Sequence, residues 1–518
     1  PLPSGATHVQ SLSGKVYSRG SWNRPVRDEH VFRCGSMADR LFEHEAEDGV
    51  PASVRAARGG KRFIEVPGRD QMSFEARCTE DFVPSDAPVR VLVEIMERLD
   101  YSPFEQHFGG GGRPAWPPEL VAKVLLFGYS QKMRSAREIS RRLESDLHLM
   151  WLAHEQRIGH QRLSEFRRHF SAELAELFAQ TVMLAQQMGL VTLELVAIDG
   201  SKIAANARRQ ATDARRLREQ IKQVLAEAAA ADAAEDNALG EARGDELPDD
   251  LRDCDKRLAR LQAAEAAPER SGQKTVSVTD PEAPLQKTTE GTRPGYNAQI
   301  AVDAESGVVV AQDVTDAQND RDQFRPMIEQ TIDNAGGKPQ AAVADAGYES
   351  GNSLQAAHDH QVEAYIAQQS RPKRERYSQD DFDYDDERDE FICPAGKRLV
   401  YRREHNRQGT WLRQYATAQA DCRDCRLRDR CLSPKGKRRE LYVSHHAELA
   451  RQMRRRLDSD AGRRVMRLRR QVVEPAFGTI KSVLGLRQFL LRGLAGARVE
   501  LTLAATALNL RKLALALA

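Results

Sequence analysis

Leu193-Glu-Leu-Val-Ala-Ile-Asp-Gly-Ser-Lys202 decides the fold class. A short β-type run, Leu193 to Ile198, ends at an acid followed at once by glycine. The pattern recurs at Ala341-Ala-Val-Ala-Asp-Ala-Gly-Tyr348, so Asp199 and Asp345 are both expected where a buried strand runs into a turn. Strand ends hold side chains rigidly, and two carboxylates on neighbouring strands make an oxygen-donor seat for a hard divalent ion such as Mg²⁺. Taken one at a time, each aspartate reads more readily as a turn cap than as a metal ligand.

Working outward, Tyr296-Asn-Ala-Gln-Ile-Ala-Val-Asp and Val308-Val-Val-Ala-Gln-Asp-Val, joined at Glu305-Ser-Gly, read as a β-hairpin. Phe324–Ile332 and Ser353–His358 have helical patterns, and Glu363-Ala-Tyr-Ile-Ala is another strand. Between the first strand and the hairpin, residues 209–270 turn rich in Ala, Glu, Arg and Leu. Leu217, Ile221 and Leu225 form one stripe, and Leu251, Cys254, Leu258 and Leu261 a second. Two amphipathic helices folded back on each other explain this, in a structural or dimer-forming role. Residues 81–190 are helical throughout, with prolines at helix starts, and such a bundle is either a helix-turn-helix DNA reader or a structural support. Residues 1–80 lack periodicity and read as a loosely ordered extension. The alternation of strands and helices predicts an α/β fold with a mixed sheet.

The 518 residues allow several packed cores. No stretch reaches the roughly 20 apolar residues of a membrane helix, and the start lacks a signal-peptide order, so a cytoplasmic place and no membrane partner are expected. The net charge of +2 means that affinity for a polyanion must come from local patches. One lies from Arg451 onward, where 15 Lys and Arg face 4 Asp and Glu. By itself such a run is as readily a solvated helix face. Four of the seven cysteines, Cys393, Cys422, Cys425 and Cys431, fall in residues 380–445 behind an acidic loop, Asp380–Glu390. In a reducing compartment clustered cysteines favour metal over disulfides, and the Cys-x-x-Cys pair suits Zn²⁺. The last spacing exceeds that of ordinary zinc ribbons, which leaves free thiols as the alternative and His445 and His446 as substitute ligands.

In Arg470-Gln-Val-Val-Glu-Pro-Ala-Phe-Gly-Thr-Ile-Lys481, the spacings of four and seven set Arg470, Glu474 and Lys481 on one helix face. Pro475 disfavours helix at Glu474, so a kink or a helix start is expected there. Together with Asp-Gly-Ser-Lys202, Gly295-Tyr-Asn-Ala-Gln, Ala344-Asp-Ala-Gly-Tyr and Gly112-Arg-Pro-Ala-Trp-Pro-Pro-Glu-Leu120, this segment resembles the blocks of bacterial insertion-sequence transposases of the DDE class. The blocks stand in the family's order from about residue 88 to the end.

The resemblance implies an RNase H-like catalytic core over residues 191–517, interrupted by 209–270 and by 380–445, behind a helical DNA-binding domain. It implies a triad of Asp199, Asp345 and Glu474 holding Mg²⁺ or Mn²⁺, with Arg470 and Lys481 in the signature around the last acid. Arg467 stands where many relatives carry a tyrosine, and with Lys202 it joins the expected DNA contacts. The implied activity is cleavage and strand transfer at the inverted repeats of the element itself, by a nucleoid-associated homodimer. A domesticated DNA-binding derivative and a nuclease without strand transfer are the alternatives. Without metal, three carboxylates meeting in one cleft would require a raised pKa or a nearby cation.

Overall fold

The structure is a computed structural model that describes residues 78–108, 115–207, 212–239, 257–259, 261–262, 264–266, 275–288, 291–368, 376–407 and 410–517. Phe82–Ala518 is one compact unit. Of the expected extension, residues 1–77 lie outside the described residues.

Seven helices come first: α1 (Pro88–Met96), α2 (Ser102–Glu105), α3 (Pro118–Ser130), α4 (Ala136–Arg142), α5 (Leu147–Leu152), α6 (His160–His169) and α7 (Ser171–Gln187). Proline sits in the first turn of α1 and α3, where its missing N–H costs no hydrogen bond. Asp146 caps α5 by accepting from the backbone of His148 and Leu149. Residues Val121 to Ser130 of α3 are buried on every side, as befits a helix at the centre of a core.

The principal sheet carries β1 (Leu195–Ala204), β4 (Leu285–Thr288), β5 (Gly291–Asp303), β6 (Val309–Thr315), β7 (Ala341–Ala344) and β8 (Glu363–Ile366). Its order is β4-β5-β1-β7-β8, with β6 also paired to β5. β5 runs antiparallel to β1, β4 and β6, whereas β1, β7 and β8 run parallel. Four strands in antiparallel pairing, β4, β5, β6 and β1, continued by the two parallel strands β7 and β8, make the mixed α/β sheet that the sequence predicts. The turn between β5 and β6 is held by Asp303, whose carboxylate accepts from Glu305 N, Ser306 N and Ser306 Oγ, with Gly307 at φ +68°. Helices α9 (Phe324–Ala335) and α10 (Gly351–Asp359) flank the parallel strands and their neighbours, and α11 (Ala447–Asp458) follows the second sheet. α12 (Asp460–Gly478) lies across β5, β1, β7 and β8.

The last helix, α13 (Gly493–Leu517), packs on α1, α3, α7 and β6, so the N-terminal helices and the sheet share one hydrophobic core. Its polar groups are matched one by one. Asn509 accepts from Val309 N and donates to Val309 O, both at 2.9 Å. Glu500, fully buried, meets Arg134 at 2.9 Å and also accepts from Leu490 N.

Between β1 and β4 the chain forms α8 (Ala214–Leu239), with the two-residue strands β2 (Thr212–Asp213) and β3 (Thr275–Val276) pairing at its base. Arg218 pairs with Glu265 and Arg257 with Glu227, pairings that run in opposite senses along the two arms. The apolar stripe of α8 is Leu217, Ile221 and Val224, packed on Leu258, Leu261 and Ala264. Leu225, expected in that stripe, is half exposed, because the i, i+4, i+7 positions face the second arm and i+8 turns away. Leu251 and Cys254 lie outside the described residues.

A second, antiparallel sheet of β9 (Asp383–Asp385), β10 (Glu390–Ile392), β11 (Arg398–Arg407), β12 (Thr410–Ala416) and β13 (Glu440–Ser444) rises between β8 and α11. The stretch Asp380–Glu390, expected as an acidic loop, contributes β9 and the start of β10. Three of its acids meet cations, Asp389 meeting Arg413, Glu390 meeting Arg398 and Asp380 meeting Arg454.

Candidate active site

Asp199 sits in the middle of β1 rather than at its end. The strand continues through Gly200 to Ala204 because β5 pairs with it without interruption from Val196 to Ala204. Gly200 is needed there for a steric reason: a Cβ would meet Gln299 Nε2 at 2.4 Å and Asp320 Oδ1 at 2.6 Å. Asp345 follows the last residue of β7 and caps the turn Ala346–Tyr348 by accepting from Gly347 N at 2.8 Å. In the parallel register Ala197 faces Val343, so two residues further along each strand the two aspartates come side by side.

A cation attends the first of them. Arg469 on α12 places Nη1 3.2 Å from Asp199 Oδ2, with side-chain exposures of 13% and 21%. Burial pushes the Asp199 carboxyl up to about 6; Arg469 opposes the rise, and the negative charges of Asp345 and Asp320 add to it. A crowded set of acids thus shows both a raised pKa and a nearby cation. Ser201, on the same face of β1 as Asp199, is hydrogen-bonded by Lys481. Lys202 donates to Gln318 O at 3.0 Å. Burial depresses both lysines, while Asp199 opposes it at Lys481 and Asp320 at Lys202.

Asp320 escapes a reading of the sequence, since it stands in the polar loop Ala317-Gln-Asn-Asp-Arg-Asp with no apolar run before it. Asn297 Nδ2 and Gln299 Nε2 both donate to its Oδ1, at 2.6 and 2.7 Å. The Tyr348 hydroxyl in turn donates to Gln299 Oε1, tying the Asp345 turn to β5. The alternation of polar residues on the buried strand β5 was the available signal, because a buried amide must have something to bond.

Glu474 lies on α12, which runs unbroken from Asp460 to Gly478 with Pro475 inside it, so the helix neither starts nor stops at the glutamate. Proline denies Gln471 O its partner, and the helix opens four residues later into a π-turn, Thr479–Val483. That turn carries Lys481 down to β1, off the exposed flank that the spacing suggested. Glu474, Arg467 and Arg470 are exposed. Arg469, one residue from the expected Arg470, is the arginine that reaches the acids.

Two family models match the chain. One, described as Transposase DDE domain, matches residues 392–514, and the other, Transposase domain (DUF772), matches residues 77–169. Both are models of transposase domains, and together they support an insertion-sequence DDE transposase. No curated protein matches it. The matched segments of this transposase take in Glu474 and the helices α1 to α6, while Asp199 and Asp345 fall between them. No described helix is long and apolar enough to cross a membrane.

The four cysteines stand beside the second sheet of the transposase, Cys393 directly after β10 and Cys422, Cys425 and Cys431 in the segment between β12 and β13. Cys393, Cys422, Cys425 and Cys431 line one small cavity together with Tyr377, Thr417 and Arg439, and none of the four is in a disulfide. Burial pushes the Cys431 thiol up, and Cys422, Cys393 and Cys425 act on it electrostatically. At Cys393 the chain turns tightly, Gly396 N donating to Cys393 O at 2.7 Å and Lys397 N to Cys393 Sγ at 3.3 Å, an N–H directed at a sulfur. His445 and His446 do not line this cavity; His446 packs against Gly351 instead. Among the described residues no group of three or more His, Cys, Asp or Glu is drawn together tightly enough to hold a metal ion. What the acids offer is the right chemistry for a hard cation: carboxylate oxygens, a glycine cradle that a Cβ would fill, and a buried amide oxygen, Asn297 Oδ1, without a partner.

Proposed function

We propose that this transposase cuts and joins DNA at the ends of its own mobile element, with Asp199, Asp345 and Glu474 as the acids of a Mg²⁺ or Mn²⁺ centre. The observation that carries the reading is the pairing of Asp199 and Asp345 on adjacent parallel strands beneath the helix that bears Glu474. Bound there, divalent ions would act as Lewis acids that activate water or a DNA 3′-hydroxyl and stabilise the leaving oxygen.

The side chains contribute in three ways. Asp199 and Asp345 present oxygens from a fixed backbone, the one within a paired strand and the other held by the N–H of Gly347. Arg469 offsets the charge of Asp199, since two neighbouring carboxylates otherwise repel. Arg467 and Arg470, exposed on the same flank of α12 as Glu474, would hold phosphates of the DNA backbone. The four cysteines, which line one cavity beside the second sheet, would hold a structural Zn²⁺, with Lys397 N donating to the Cys393 sulfur. Two protomers, each bringing one element end, make the active complex.

The test is an assay with labelled DNA carrying the element's ends and a target duplex, in Mg²⁺ and in Mn²⁺. Wild type is expected to give nicked ends and joined product, while Asp199→Asn, Asp345→Asn and Glu474→Gln bind the ends and yield neither. Cleavage by Asp199→Asn at the wild-type rate would overturn the assignment. Cleavage by wild type with no joined product would identify a nuclease.

A further inference from the structure

Asp320 belongs to no part of the assigned site, yet its surroundings are those of a ligand rather than of a turn cap. It reaches the sheet from the loop between β6 and α9. One oxygen, Oδ1, is pinned by two amide donors, Asn297 Nδ2 and Gln299 Nε2. The other oxygen, Oδ2, faces the Asp345 turn: a Cβ placed on Gly347 would lie 3.2 Å from Asp320 Oδ2 and 2.9 Å from Asp345 Oδ1. Two carboxylate oxygens therefore border a notch that stays open only because residue 347 has no side chain. A second observation points the same way. Asn297 is fully buried and its Oδ1 has no hydrogen-bond partner, although it lies 3.2 Å from the position a Cβ on Gly200 would take, beside Asp320 Oδ1. A buried amide oxygen is costly to leave unsatisfied, so its place in the fold calls for a partner. The donor set in this corner is made of oxygens alone, which suits Mg²⁺ or Mn²⁺ and not a soft metal.

We propose that Asp320 is a further acid of the divalent-cation centre, sharing a cation with Asp345 across Gly347, with Asn297 Oδ1 as a neutral donor beside it. The inference rests on the reading of Asp199 and Asp345 as metal ligands. It assigns the amides of Asn297 and Gln299 the task of aiming the carboxylate, much as outer-shell hydrogen bonds orient the ligands of other metal centres. It also gives Gly347 a purpose. Its φ is not in the left-handed region, so the backbone would accept alanine and the requirement falls on the space its side chain would fill.

The experiment is a Mn²⁺ titration of the full chain followed by electron paramagnetic resonance, Mn²⁺ being a hard cation that thiolates hold poorly. Asp320→Asn keeps the shape of the side chain and is expected to weaken Mn²⁺ binding by about 10- to 100-fold. Gly347→Ala, which keeps both carboxylates but fills the notch, is expected to weaken it in the same sense, and Asp320→Glu to restore part of the loss. Wild-type affinity in a folded Asp320→Asn protein, with binding lost in Asp345→Asn, would overturn the proposal and leave the Asp199–Asp345 reading standing. Should Asp320→Asn fail to fold, wild-type affinity in Gly347→Ala would overturn it equally. Wild-type affinity in both Asp199→Asn and Asp345→Asn would remove the underlying metal reading and this inference with it.

Discussion

Asp199→Asn should make the metal-free protein more stable at alkaline pH, and the gain should fade as the solution is acidified. In the folded chain burial and the neighbouring acids raise the Asp199 carboxyl from an ordinary 3.8 to about 6. A carboxyl whose pKa rises on folding lends its full stability below the unfolded value and loses it as the pH climbs through the folded one. Two pH units correspond to about 3 kcal/mol, a ceiling for a side chain with 21% exposure. At pH 4.5 the unfolded carboxyl is already largely ionised, so about 2 kcal/mol remains to be lost by pH 8. Asparagine does not titrate. The pull of Arg469 on the ionised carboxylate is already contained in the value of about 6, so the wild-type carboxyl alone sets the slope. Urea unfolding in Mg²⁺-free buffer, followed by tryptophan fluorescence at several pH values, gives the stability gap between the two proteins. The gap should move in favour of the variant by about 2 kcal/mol from pH 4.5 to 8. Adding Mg²⁺ at pH 8 should stabilise wild type and not the variant, because a ligand stabilises only the state that binds it. A gap that stays flat across this range would refute the argument that Asp199 is held in a charge-crowded, half-dehydrated corner.

Other consequences follow from the same structure. Arg134→Ala leaves the fully buried Glu500 without its cation and should cost about 3–5 kcal/mol, read as a lowered urea midpoint; a loss under 1 kcal/mol would mean that the backbone donors at Leu490 and Leu491 suffice. Purified protein should carry one zinc per chain, and its removal by a chelator should loosen β9–β13 while the principal sheet keeps its amide protection; four thiols that titrate freely in the folded, zinc-free protein would eliminate the site. Arg470→Ala should lower the salt dependence of DNA binding by roughly one unit, whereas Lys481→Met, whose amine is engaged with Ser201, should leave that slope nearly unchanged and lower activity instead. Filter binding over a range of salt separates the two residues.

Local patterns carried much of the architecture by themselves. The apolar runs at 193–198 and 341–344, the hairpin at 296–314 and the helical stripes are short-range features, and a strand or helix period survives whatever the chain packs against. The same reasoning marked Asp199 and Asp345 as acids at the edge of buried strands and marked the four cysteines as a group. Tertiary structure decided everything that depends on distance across the fold. Pairing with β5 extends β1 past Asp199 into Gly200, where propensity alone would have turned the chain. The π-turn after Pro475 swings Lys481 onto Ser201, and the pitch of α12 sends Arg469 rather than Arg470 to the carboxylate. Asp320 is the clearest case: a loop residue 121 positions after Asp199 has no periodicity to declare it, and only the closing of β5, β1 and β7 into one sheet brings its oxygens against Gly200 and Gly347. Sequence fixes which groups repeat along one element, and side chains from different elements meet only where the packing of a shared core puts them.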